Sequence, residues 1–474
     1  MAANTTFVTA CAWILKGRAS AVPQTVELEP TTIKELIDSA GVDDETSDTD
    51  VEEKKGLRGS SKDEEVSEVQ NPNDKFKMEE YDQEKTPGPG MKGLAAFSKP
   101  ADDPYMENKD DSEDEREKDA MRIRPNDNLA VAAKFDGDDT TLLVYVYNAE
   151  TGDFYVHHDY PINAPVLCLE PIGYDPGVDS KKGNLLAVST MEQQIQIWDL
   201  DIVNAVKPVV KLGSSNKSSR KKRDGSEQGH SDAVLSLAWN TNADHLLASG
   251  GADQIVVLWD LDAAKPAQNL PLFDGMVQSI EWQPNTSSVL LSGTRSGTMR
   301  LDDGRLDAPV ANWNFSEGAE VEVEHLHWDK QREHNAYVLT SDGKLRYIDT
   351  RQAGQSISTV QAHEGESGGL SLSSIDGLLT TVGGEYAKFW HNKNGQIELV
   401  GSKKFHMGTL RCVSFCPDQP NILMIGGQKE DLIHIYDVAR DPGCSETFTN
   451  LHASAEVNPL DKDVDVDVEM EEAQ

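Results

Sequence analysis

His230, Ser249 and Asp253 fall within one stretch, GHSDAVLSLAWNTNADHLLASGGADQIVVLWDL, which runs from Gly229 to Leu261. These residue types could form a nucleophilic set, in which a carboxylate orients an imidazole that takes a proton from a hydroxyl. The stretch also carries Trp259, whose indole N–H needs an acceptor once buried. Asp253, His230, Ser249 and Trp259 can satisfy one another in a linear hydrogen-bonded chain, and that structural role is the one the sequence favours. Nothing here forms the strand-turn-helix elbow that lifts a nucleophilic serine to a surface. His325 and His327 alternate along one strand face, which suits part-buried strand histidines better than metal ligands. Cys412 and Cys416 lack the further Cys or His partners of a zinc site. The chain is therefore expected to be no enzyme and to use no cofactor or metal.

The Gly-His and Trp-Asp pairs of that stretch belong to a repeat. Intact or worn, the Trp-Asp pair recurs about every forty to sixty residues, in VYVYNA ending at Ala149, IQIWDL at Leu200, VVLWDL at Leu261, TMRLDD at Asp303, LRYIDT at Thr350, AKFWHN at Asn392 and IHIYDV at Val438. Alternating first strands precede most of them: VLCL from Val166, VLSLAW from Val234, VQSIEW from Val277, VEHLHW from Val323, LSLS from Leu370 and LRCVSF from Leu410. Each unit reads as four short strands, as in VLSLAW, LLAS, IVVLWD and a last strand near Gln268 to Phe273. A small sheet of this kind cannot bury both faces alone, so seven of them are expected to cover one another radially as an all-β, seven-bladed β-propeller. Other units keep parts of the polar set, His363 with Trp390 and His406 with Asp431 and Tyr436.

The unit that carries VYVYNA lacks a first strand directly before Asn128. FVTACAWIL near the N-terminus alternates in the same way, so residues 7 to 15 are expected beside LAVAAKF and TLLVYVY, completing blade one. Residues 27–127 then form a long insertion within that blade, the propeller spans 128–455, and a tail follows from 456. The chain carries 44 basic against 82 acidic residues, a net charge of -38. From Glu27 to Asn128 there are 31 acids and 15 bases, and the tail repeats DKDVDVDVEMEEAQ. Both segments are poor in aromatics and are expected to be disordered. The acidity disfavours bare nucleic acid as the main ligand and favours basic protein partners, with RNA contact indirect or weak. Five cysteines in strand-like runs suit buried thiols in a reducing compartment. FVTACAWIL is too short and lacks the preceding bases of a signal peptide, so a soluble intracellular protein without membrane contact is expected.

The loop at 213–228 is basic. Within it Lys217, Arg220, Lys221, Lys222 and Arg223 read as a nuclear localisation signal. Ser47 and Ser112 lie among carboxylates, as candidate phosphorylation sites for acid-directed kinases. With 6% aromatic residues spread over seven units, no aromatic cage for a methylated lysine can be nominated.

The repeats resemble the WD-repeat family. VTACAWILKG, RPNDNLAV from Arg124, VYNAETGDFYVHHDYP from Val146, IQIWDLDIVNAVKPVVKLGS from Ile195 and EGAEVEVEHLHWD are similar, more specifically, to the periodic tryptophan protein 1 family. The acidic insertion falls outside that similarity. The resemblance implies a nuclear and nucleolar scaffold in ribosome biogenesis, acting in pre-ribosomal RNA processing and large-subunit assembly. Its implied partners are pre-ribosomal particles and basic ribosomal or assembly proteins, with chromatin association through a histone also attributed to the family. The competing expectation is a substrate adaptor of a ubiquitin ligase, a frequent role of propellers.

Overall fold

The computed structural model describes residues 6–26 and 121–451, apart from 138, 179, 215–228, 317–320, 366, 429–431 and 450. They form seven small antiparallel sheets arranged as the blades of a β-propeller; six blades have four strands and the seventh has three among the described residues. The inner strands are Thr6–Ile14, Val166–Tyr174, Val234–Trp239, Val277–Trp282, Val323–Trp328, Gly369–Leu372 and Cys412–Phe415. Each touches the next, and the last returns to the first, so the ring is closed.

Blade one is assembled from distant parts of the chain. Thr6–Ile14 pairs antiparallel with Asn128–Asp136, from Thr6 opposite Asp136 to Ile14 opposite Leu129. Its register slips between Val8 and Ala10, and the inner strands of blades two to five slip at the matching place, for example between Val234 and Ser236. The N-terminal strand thus shares the bulge of the inner strands of blades two to five.

Two close contacts recur at the seams between blades. The first needs glycine. A Cβ on Gly250 would stand 2.6 Å from Val277 Cγ1, on Gly293 2.4 Å from Val323 Cγ1, and on Gly426 2.9 Å from Val8 Cγ1. Bare backbone in the second strand of one blade therefore admits the valine that opens the next blade's inner strand. The second contact needs tryptophan. The indole of Trp282 donates to the Ala238 carbonyl at 3.1 Å, that of Trp328 to Glu281 at 3.2 Å and that of Trp13 to Ser414 at 3.0 Å. In all three the acceptor belongs to the preceding blade's inner strand, one residue before the position matching the tryptophan. Trp239 departs from this: its indole donates to Asp244 at 2.8 Å, and the Arg18 guanidinium lies 5.2 Å from its ring centre.

Some elements differ from the sequence pattern. The fourth strand of blade three is Lys265–Asn269, earlier than the apolar run suggested. Pro271 cannot donate to a ladder, and Leu270 and Phe273 turn inward instead, with the Arg300 guanidinium 3.2 Å from the Phe273 ring centre. Met121 already belongs to the propeller, and Ile123 is buried in its core. After the first strand the chain forms a short parallel pair, Gln24–Thr25 with Ile202–Val203. Five cysteines are free thiols, and burial pushes Cys168 and Cys416 up to about 12, which leaves both unreactive.

The Trp13 seam generates a prediction. Replacing buried Trp13 by alanine should lower the unfolding free energy by about 3–5 kcal/mol, whereas phenylalanine, which loses the indole N–H, should cost about 1 kcal/mol. Urea unfolding followed by tryptophan fluorescence measures both; equal, negligible effects would mean that this strand does not hold the ring.

Candidate functional site

The structure brings His230, Ser249, Asp253 and Trp259 together. His230 precedes the inner strand of blade three, Ser249 lies on Leu246–Gly251, Asp253 in the following turn and Trp259 on Val256–Asp260. His230 Nδ1 stands 3.0 Å from Asp253 Oδ1, and the Ser231 backbone N–H donates to Oδ2 at 2.8 Å. His230 Nε2 is 2.7 Å from Ser249 Oγ, which accepts the Trp259 indole N–H at 2.7 Å. One consistent direction satisfies every member: indole to hydroxyl, hydroxyl to Nε2, and Nδ1–H to carboxylate. Burial would raise the Asp253 pKa, but the bonds from His230 and Ser231 outweigh it and hold the carboxyl below its usual range.

The same geometry explains the motif spacing. A Cβ on Gly229 would meet Trp259 at 2.7 Å, and one on Gly251 would meet Asp253 Oδ1 at 2.4 Å and His230 Nδ1 at 2.5 Å. The glycines are where the histidine and tryptophan must pass. It also disposes of nucleophilic chemistry here. Ser249 is 0% exposed and one of its lone pairs is taken by the indole, so no substrate carbonyl can approach.

Blade six keeps a shorter chain, His363 Nε2 to Thr381 Oγ1 at 2.8 Å with the Trp390 indole on the same hydroxyl at 2.9 Å. Among the described residues no aspartate bonds His363 Nδ1, and burial, reinforced by Lys388, lowers the His363 pKa to about 4. In blade seven His406 is exposed while Met407 beside it is buried, so the expected set with Tyr436 does not form; Asp431 lies outside the described residues. Lys217, Arg220, Lys221, Lys222, Arg223, Ser47 and Ser112 also lie outside the described residues.

Blades four and five hold polar sets that the Trp-Asp pattern does not disclose. TRSGTMR from Thr294 and TSDGKLR from Thr340 share the spacing Thr-x-x-Gly-x-x-Arg, a signal visible in the sequence once the blades are aligned. Gly297 and Gly343 adopt φ of +80° and +72° in the turn. Thr294 donates to Asp274 at 3.2 Å and Arg300 Nε to Asp302 at 2.8 Å, while Thr340 donates to Asp342 and accepts from Arg346. An arginine with its own carboxylate thus does the work of the histidine chain.

Around the axis the inner strands carry further polar groups. Glu170 accepts the Trp239 backbone N–H at 2.9 Å, and burial followed by the nearby Glu281 charge pushes it up to about 8 against the N–H bond and Arg18. His327 bridges Glu281 at 3.3 Å and the Leu370 carbonyl at 3.0 Å, and burial with His327 nearby brings His325 down to about 4. Among the described residues no group of three or more His, Cys, Asp or Glu side chains could hold a metal ion.

A closed seven-bladed ring with this His-Ser-Trp chain is a WD-repeat β-propeller. Residues 222–260 match the model of the WD domain, G-beta repeat, family. A chain in the crystal structure of a mitotic checkpoint complex shares the fold with a TM-score of 0.50 and 17% identity, over 65% of this chain and 84% of that one. Over 93% of this chain and 96% of its own length, the periodic tryptophan protein 1 homolog of Drosophila melanogaster is 34% identical. The periodic tryptophan protein 1 of Saccharomyces cerevisiae is 26% identical over 93% of this chain and 89% of its own. The chain belongs to the periodic tryptophan protein 1 family.

The buried histidines make stability depend on pH. His158, lowered to about 3 by burial and His157, and His363, lowered to about 4, stay neutral in the fold where unfolded imidazoles, titrating near 6.5, bind protons. The unfolded state then binds more protons between about pH 6.5 and 4, so stability falls on acidification through that window. Glu170 pulls the other way, and so a variant isolates the effect. His363→Gln should flatten the pH dependence of Tm across this window by about one proton's worth; an unchanged slope would show that His363 is not held neutral.

Proposed function

We propose that this propeller is a non-enzymatic scaffold in ribosome biogenesis, working in the nucleus and nucleolus on pre-ribosomal RNA processing and large-subunit assembly. The observation that carries the reading is family membership over 93% of the chain. Supporting it, the ring has rigid, cross-braced seams and no exposed nucleophile in its polar chains, which suits holding partners rather than transforming them. The partners this reading favours are basic ribosomal and assembly proteins, drawn by the net charge of -38, with RNA contacted indirectly. Histone association is a secondary part of the proposal, resting on the same charge and the family resemblance.

The test is gradient sedimentation of a cell extract followed by identification of cosedimenting molecules, with and without ribonuclease. Cosedimentation with large-subunit precursors, accompanied by accumulation of unprocessed pre-ribosomal RNA on depletion, is the expected outcome. Sedimentation only with ubiquitin-ligase subunits, with pre-ribosomal RNA unaffected, would refute the scaffold reading in favour of the adaptor.

A further inference from the structure

Blades four and five repeat more than the polar set described above. The stretches TRSGTMRLDDGR, Thr294 to Arg305, and TSDGKLRYIDTR, Thr340 to Arg351, both continue into Asp-x-Arg. The two turns are near copies. Arg305 Nε donates to Asp303 Oδ1 at 2.9 Å and Nη2 to Oδ2 at 2.6 Å; Arg351 Nε donates to Asp349 Oδ1 at 2.9 Å and Nη2 to Oδ2 at 2.6 Å. Each arginine's backbone N–H also donates to the same Oδ1, at 3.1 Å and 3.0 Å. The carboxylates are sheltered, while the arginine side chains are 72% and 63% exposed. The turn of blade five is also tied to blade four, because the indole of buried Trp313 in the fourth strand of blade four donates to the Gln352 carbonyl at 3.3 Å.

The arginines are not needed to build the turns. Blades two and three close the same turn with an aspartate in the arginine's place, Asp201 N–H to Asp199 at 2.9 Å and Asp262 N–H to Asp260 at 2.9 Å. In blade one the matching residue is Glu150. Basic groups at this position are confined to one arc of the ring, Arg305, Arg351 and, in blade six, Lys393. The hairpins that carry the arginines also hold exposed apolar side chains, Leu306 and Val310 in the blade-four turn and Ile357 at the start of the fourth strand of blade five.

Each guanidinium has five N–H donors and spends two on its own carboxylate, so the outward edge remains free for a second acceptor. The bidentate bond fixes the rotamer, so little side-chain entropy is lost when that acceptor arrives. We propose that Arg305 and Arg351 form a docking surface for an acidic segment of a partner protein, whose carboxylates engage the two guanidinium edges while an apolar residue between them rests on Leu306 and Val310. Carboxylates with an apolar contact fit the site better than a nucleic-acid backbone. Leu306 and Val310, 53% and 54% exposed, would be idle against a sugar-phosphate backbone. The surface is independent of the ribosomal reading.

The test uses the full-length protein and a fluorescein-labelled peptide, Glu-Glu-Leu-Glu-Glu-Leu-Glu-Glu, with its all-glutamine counterpart as control, in fluorescence polarisation at physiological ionic strength, where the repulsion of the net charge of -38 is screened beyond about 8 Å. Saturable binding of the acidic peptide alone is expected, weakened about tenfold by Arg305→Gln or Arg351→Gln and lost in the double variant. Arg351→Lys should weaken it too, because a point charge cannot make the fork. Thermal melting of each variant separates lost binding from lost fold. The proposal is overturned if the wild-type protein does not bind the acidic peptide, if the folded double variant binds it equally well, or if the glutamine peptide binds as tightly. Arginine-dependent binding of labelled oligouridylate in place of the peptide would likewise overturn it and assign the arc to phosphate.

Discussion

The fold depends on closing a ring with its own N-terminal strand. Seven amphipathic sheets can hide their faces only from one another, so an open ring would expose two faces and one long edge. Closure here joins Thr6–Ile14 to Asn128–Asp136 on one side and to Cys412–Phe415 on the other. Every bond across that seam spans a long stretch of chain, which makes closure expensive in loop entropy and dependent on good local complementarity. That complementarity comes from parts used elsewhere in the ring: a valine entering over a backbone glycine, a shared bulge and a tryptophan indole reaching one blade back.

These parts also show how much of the molecule was legible in the sequence. The alternation of FVTACAWIL and the position of Trp13 match VLSLAW and VQSIEW, so the inner strand could be recognised despite its separation from the rest of blade one. Gly229 and Gly251 could be read too, because the intact unit leaves no other room for His230 and Trp259. The arginine sets of blades four and five escaped that reading, since Thr-x-x-Gly-x-x-Arg satisfies the same buried polar requirement with different chemistry. Pattern alone also missed Trp239 turning to the Asp244 carbonyl, with Arg18 from a distant segment over its ring. The fourth strand of blade three was displaced for a local reason, Pro271.

The electrostatics divide into a buried and an exposed part. Inside, hydrogen bonding decides protonation: Asp253 is held ionised by donors, whereas His363 and His158 are kept neutral by burial. Outside, the turn after the third strand keeps one backbone geometry in blades one to five while its charge changes from Glu150, Asp201 and Asp262 to Arg305 and Arg351. A repeat fold can vary such positions freely because the structural demand on each is already met by the aspartate or asparagine that closes the turn. Fold and recognition are thereby separated within a few residues.

Hydrogen exchange of the native protein, resolved to peptides, tests closure most directly. The amides of Thr6–Ile14 should exchange as slowly as those of Asn128–Asp136, opening only with the whole ring. Exchange of the first segment at the rate of an exposed arm, beside a protected second strand, would contradict the account.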